Sequence, residues 1–167
     1  PAVELITNGG FESGFDGWST GGMVSPTLAT TGHTGARSVL LGDDPVSGGR
    51  SVISQTVSIS APLEAPTLSF IFRIGSADPA SDRFIVGLRS STTTVTHTLP
   101  LTGGGWQHAW YDLSELAGEA AQISLEVDQD SAASPTTVFV DEVSVGPASE
   151  GPRRVYLPLI VKGYPTE

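Results

Sequence analysis

Trp106, His108 and Trp110 are spaced two apart in the stretch Gly105-Trp106-Gln107-His108-Ala109-Trp110-Tyr111. In an extended chain that spacing puts two indoles and an imidazole on one side. Flat aromatic rings in a row stack on the apolar faces of sugar rings, and an imidazole between them supplies hydrogen bonds. Ala109, Tyr111 and Leu113 make the better inward row, so the tryptophan side is expected on the outer or concave surface of a sheet. Packing is the competing role for Trp106, and covering an added element is the competing role for Trp110. Trp18, in Asp16-Gly17-Trp18, reads as core.

A second chemical signal is acidic. Phe139, Asp141, Val143 and Val145 share a parity, which sets Asp141 in an otherwise apolar stripe expected to face the core. A buried carboxylate needs a cation or several hydrogen bonds, because burial alone drives it toward its neutral form. Arg37 is the candidate counter-ion in the absence of a metal. Asp43-Asp44 and Asp128-Gln129-Asp130 are further acidic pairs, read first as solvated loops and second as metal sites. Catalysis has no comparable signature. His33, His97 and His108 are scattered, with no HExxH pair, no Gly-x-Ser-x-Gly elbow and no glycine-rich loop opening a helix. Nothing marks out a carboxylate pair for glycoside cleavage.

The elements that would position these residues are strands. Twenty glycines, 12 prolines and many serines and threonines, against one methionine and one lysine, favour turns and extended chain over helix. Short apolar runs recur between Gly, Pro, Asp and Ser clusters, and strands are expected near 3–7, 22–30, 38–42, 51–60, 67–75, 83–90, 93–99, 106–113, 121–128, 137–145 and 154–162. Leu68, Phe70, Phe72 and Ile74 alternate with polar residues, as do Ile123, Leu125 and Val127, so these strands have one wet face. One helical turn is expected at Ser114-Glu115-Leu116-Ala117, ended by Gly118. Two packed antiparallel sheets bury the inner faces of so many strands, which makes the fold class an all-β sandwich.

A length of 167 residues fits one domain over 1–146. Residues 147–153 read as a linker, Gly- and Pro-rich from Gly146 on, before an apolar strand at 154–162 within a C-terminal extension, 154–167. Pro158 confines that strand to an edge. A net charge of −10 repels phosphate backbones and anionic membranes, which argues against nucleic acid as a partner. No apolar run approaches the length of a transmembrane segment. The absence of cysteine excludes disulfides and thiolate metal sites and leaves an extracellular location open. The chain starts without a basic, apolar signal segment, so it is expected to be either a processed mature form or, the reading favoured here, a fragment cut from a longer protein.

Four stretches together resemble the galactose-binding-like jelly rolls, a group that includes many bacterial carbohydrate-binding modules. They are Leu5-Ile6-Thr7-Asn8-Gly9-Gly10-Phe11-Glu12 with Gly17-Trp18, Gly32 through Leu41, Gly105-Trp106-Gln107 through Gly118, and Val138-Phe139-Val140-Asp141-Glu142-Val143. The third is similar to accessory domains that follow catalytic units in secreted bacterial peptidases. The resemblance covers roughly residues 4 to 146 and implies a two-sheet jelly roll. It also implies a structural calcium ion with Glu12 and Asp141 among its ligands. Backbone carbonyls at Asn8 and Gly35 suit such an ion, since calcium takes six to eight hard oxygens and uses glycine-rich loops readily.

The function expected is therefore a non-catalytic, secreted or cell-surface accessory module. It would bind a polysaccharide or glycan through Trp106, His108 and Trp110, and calcium through Glu12, Asp141, Asn8 and Gly35. The alternative is a surface-attachment or self-assembling protein in which residues 154–162 add a strand to a neighbouring copy or to another domain of the parent protein.

Overall fold

The computed structural model of the chain describes residues 3–43, 48–130 and 134–148. The expected C-terminal extension at 154–167, the strand expected within it at 154–162 and the expected strand addition lie outside the described residues.

Ten strands form two antiparallel five-stranded sheets. The first sheet runs β1 (Ser19–Gly21), β4 (Gly49–Ser58), β9 (Ala120–Gln129), β6 (Arg83–Arg89), β7 (Thr94–Leu99). The second runs β2 (Thr27–Ala29), β3 (Ser38–Gly42), β10 (Thr137–Pro147), β5 (Pro66–Ser76), β8 (Gln107–Asp112). A 3-10 turn at Ser114–Leu116 follows β8. The core lies between the sheets and takes alternate residues from each strand. Leu68, Phe70, Phe72 and Ile74 of β5 meet Phe84, Val86 and Leu88 of β6. The rings of Phe70, Phe72 and Phe84 sit 5.5 to 6.2 Å apart in tilted and edge-on pairs, the geometry that aromatic quadrupoles favour. The fold is a two-sheet β-sandwich of the jelly-roll kind.

Two expected strands form differently. Residues 3–7 make no strand. They lie beside β10 with Leu5 N–H on the Val145 carbonyl, and polar side chains replace the rest of a ladder. The Gln55 amide accepts from Thr7 N–H and donates to the Thr7 carbonyl, while Glu4 accepts from Ile6 and Val145 N–H. The expected strand at 22–30 is broken by Gly22, at φ +96° and pressed on the Arg50 carbonyl, and by Pro26, which has no N–H to give a ladder. The chain uses this break to cross between sheets, with β1 pairing β4 and β2 pairing β3. At the other end β10 continues through Pro147, and Ala148 N–H bonds the Ala65 carbonyl, so the ladder takes the first residue of the expected linker.

Candidate functional site

The outer face of the second sheet gathers most of the chemistry. On the edge strand β8, Ala109 and Tyr111 pack toward the core, which turns Trp106, His108 and Trp110 outward. The register sets Trp110 opposite Ser69 and His108 opposite Ile71 on β5. Trp110 is 65% exposed and makes no ring or cation–π contact among the described residues. His108 is exposed, with Nε2 2.8 Å from Ser69 Oγ.

Trp106 is half-buried and stands among partners that the sequence did not single out. Its ring meets His33 edge-on at 5.6 Å and carries the Arg73 guanidinium 5.3 Å above it. The other face of Arg73 lies 4.4 Å from the Phe139 ring, which projects outward from β10 directly opposite Arg73. Phe139 can lie there because Gly75 has no side chain: a Cβ at that position would come within 2.8 Å of the ring. His33 Nδ1 is 3.1 Å from Glu142 Oε1. The Glu142 carboxyl is held below the usual range, chiefly by a hydrogen bond from the Thr34 side chain, with His33 adding to it against the effect of burial. The face thus runs from Phe139 and Arg73 through Trp106 and His33 to His108, Ser69 and Trp110.

Ser69 and His108 approach as a nucleophile and base would, but the nearby carboxylate of Glu142 bonds His33 instead. The main-chain groups around Ser69 belong to the β5–β8 and β5–β10 ladders, so among the described residues they are not free to serve as oxyanion donors beside its hydroxyl. What the face offers is one free indole, hydroxyl and imidazole hydrogen-bonding groups, and a guanidinium.

A separate concavity of about 380 Å³ is lined by residues of the edge strands β7 and β8 and their neighbours. The stacked pair His97 and Tyr111, 4.4 Å apart, lines it with Leu88, Asp112 and Glu115. Burial pushes the Tyr111 phenol up.

The acidic site differs from expectation in how Asp141 comes to be buried. Its stripe does not face the core: Val138 and Val140 point inward, and Phe139 and Asp141 share the outward side. A bulge between Asp141 and Ser144, with Glu142 at φ +52°, adds a residue and returns Val143 and Val145 to the core. Asp141 is nonetheless 0% exposed, because the 32–37 loop closes over it. Its Oδ2 accepts from His33 and Thr34 N–H and its Oδ1 from Glu142 N–H, so backbone donors take the role expected of Arg37. Burial pushes its carboxyl up, and these three bonds pull it partly back.

Glu12 holds the same loop from the other side, its Oε1 accepting from Ala36 and Arg37 N–H. Gly35, at φ +68°, sits so close that a Cβ there would be 2.5 Å from Glu12 Oε1. Asn8 lies apart from this role. Its carbonyl already accepts from Phe11 N–H and from the indole N–H of the buried Trp18, and its side chain ties Gly14, Asp16 and Ser13. Asp128, one of the further acidic residues, is flanked by Arg50 and Arg83 on neighbouring strands. Asp44 lies outside the described residues. Among the described residues no three His, Asp or Glu side chains are placed to hold one metal.

No family model and no curated protein matches the sequence. Solved structures do match in fold. TmCBM61, solved in complex with β-1,4-galactotriose, superposes with a TM-score of 0.67 at 15% identity, over 86% of this chain and 98% of that one. A family 16 carbohydrate-binding module gives 0.61 at 18% identity, over 84% and 98%. The enzymatically active domain of bacteriophage CBA120 tailspike protein 4 gives 0.64 at 14%, over 86% of this chain but only 21% of its own. The jelly-roll sandwich of this chain is therefore the fold of carbohydrate-binding modules.

Proposed function

We propose that the chain is a non-catalytic glycan-binding accessory module acting outside the cell, with the outer face of the second sheet as its binding surface. The observation that carries this is Trp110: an indole 65% exposed on a sheet face, flanked by hydroxyl and imidazole groups, in a fold shared with a module bound to galactotriose. Solvating so large an apolar ring costs free energy, and a sugar face relieves that cost without requiring a deep pocket. The absence of cysteine leaves an extracellular setting open, and no helix of the described residues is long and apolar enough to cross a membrane. A glycan array followed by calorimetry on plant, fungal and bacterial polysaccharides tests this function. Saturable binding without any shortening of the bound oligosaccharide is the expected result. Absence of binding across the array sinks the proposal.

A structural calcium ion belongs to the same proposal. Glu12 and Asp141 converge on one glycine-containing loop, and Glu12 Oε2 accepts no hydrogen bond among the described residues, so it is open to a cation. Calcium would take its other oxygens from backbone carbonyls. Gly35 remains a candidate for one of them, whereas the Asn8 carbonyl is already engaged. Ion binding to the native state alone raises stability by mass action, so chelation should lower the thermal midpoint by a few degrees, recovered on adding calcium. An unchanged midpoint, with no calcium in elemental analysis of the purified protein, removes the ion from the account.

A further inference from the structure

Arg73 is built into the binding face in a way that packing does not require. Its guanidinium lies between two rings, Phe139 at 4.4 Å and Trp106 at 5.3 Å. Among the described residues its Nε is buried without a hydrogen-bond partner, and its Nη groups, which are not buried, have none either. The ion pairs among the described residues are Arg50 with Glu126 and His33 with Glu142, so no described carboxylate forms an ion pair with Arg73. Acidic residues outnumber basic ones 18 to 8 in this chain, and an arginine held in place with no acidic partner stands out against that excess.

Aromatic rings on both faces fix the plane of a guanidinium and strip water from it, leaving its edge N–H groups as the available donors. Such a fork matches a carboxylate, which can accept two parallel N–H bonds, and flanking rings strengthen the pair by lowering the local dielectric. We propose, on the premise that this face binds glycan, that its ligand is a uronic-acid-containing saccharide whose carboxylate pairs with Arg73 while a neighbouring sugar stacks on Trp110.

The spacing requires two different sugars. Arg73 lies one register step beyond the pair Phe72 and Gln107, level with Trp106, and Trp110 is four residues further along β8, about 13 Å away at the usual strand rise. One ring cannot touch both. The charge of −10 and the carboxylate of Glu142 on the same face oppose a densely charged polymer, so the fit is to a chain with isolated uronates among neutral sugars.

Matched oligosaccharides test this without altering the protein. Glucuronoxylan and rhamnogalacturonan fragments are titrated against their carboxyl-reduced counterparts, with a sulfated galactan as a tetrahedral-anion control. The wild type should bind at least one uronate member about tenfold or more tighter than its reduced form, the size of one charge-assisted pair. Arg73→Gln should abolish that difference, Arg73→Lys should keep only part of it, and Trp110→Ala should weaken both members alike. Equal affinity within every pair, or a preference for the sulfated galactan, overturns the uronate assignment while glycan binding stands. No binding to any saccharide, neutral polysaccharides included, overturns both.

Discussion

Trp110→Ala should lower glycan affinity by about thirtyfold or more and leave the fold intact. A tryptophan at the centre of an interface commonly carries about 2 kcal/mol or more of binding free energy, which is that factor in Kd. Trp110 can be removed cleanly because its ring is 65% exposed and touches no other ring among the described residues. Exposed substitutions of this kind change stability by about 0.5 kcal/mol at most. Trp106→Ala would be a poorer probe. Its ring supports Arg73 and His33, so stability, loop position and binding would change together. The decisive measurement is calorimetric affinity of Trp110→Ala beside its urea midpoint: a native midpoint with native affinity would move the binding site off this face. The cleft between β7 and β8, where Tyr111 and His97 stack, would then be the place to mutate next.

The part of this face that could be read from sequence is the part governed by simple alternation. In β8 no residue is inserted, so two-residue spacing assigns Trp106, His108 and Trp110 to one side and Ala109 and Tyr111 to the other. The same alternation located β5 and β9 to within a residue at each end, and a short apolar run located β3. It failed at β10, because the bulge after Asp141 rests on Glu142 adopting a positive φ, and nothing in the residue type announces that. Asp141 was rightly expected to be buried, but in a stripe that is split between two faces. The Arg73 sandwich needs a different kind of information. Arg73 is visible in sequence as the single charge in an otherwise apolar and polar strand, yet its partner Phe139 is brought beside it only by the β5–β10 pairing. That pairing is a property of strand order, which alternation within one strand does not encode.

Asp141 is where stability should be most sensitive. Removing its carboxylate takes the acceptor from three part-buried N–H groups, those of His33 and Thr34 in the 32–37 loop and that of Glu142 at the bulge. Each lost bond costs about 1 kcal/mol when the donor regains water and more when it does not, so Asp141→Ala should destabilise by about 3 kcal/mol. In a domain of this size that lowers Tm by roughly 6 to 12 °C. Asp141→Asn should fall between, since one amide oxygen can still accept while the amide nitrogen faces a donor. Glu12→Ala should cost less, because its two bonds to the loop lie at the surface. Chelator separates the two roles of the carboxylate. If the N–H bonds dominate, the loss in Asp141→Ala persists in full with calcium removed, because those bonds need no cation. A penalty that vanishes in chelator would instead make Asp141 chiefly a metal ligand. A penalty below about 0.5 kcal/mol in both conditions would mean that the 32–37 loop holds its position without Asp141, against the geometry of all three bonds.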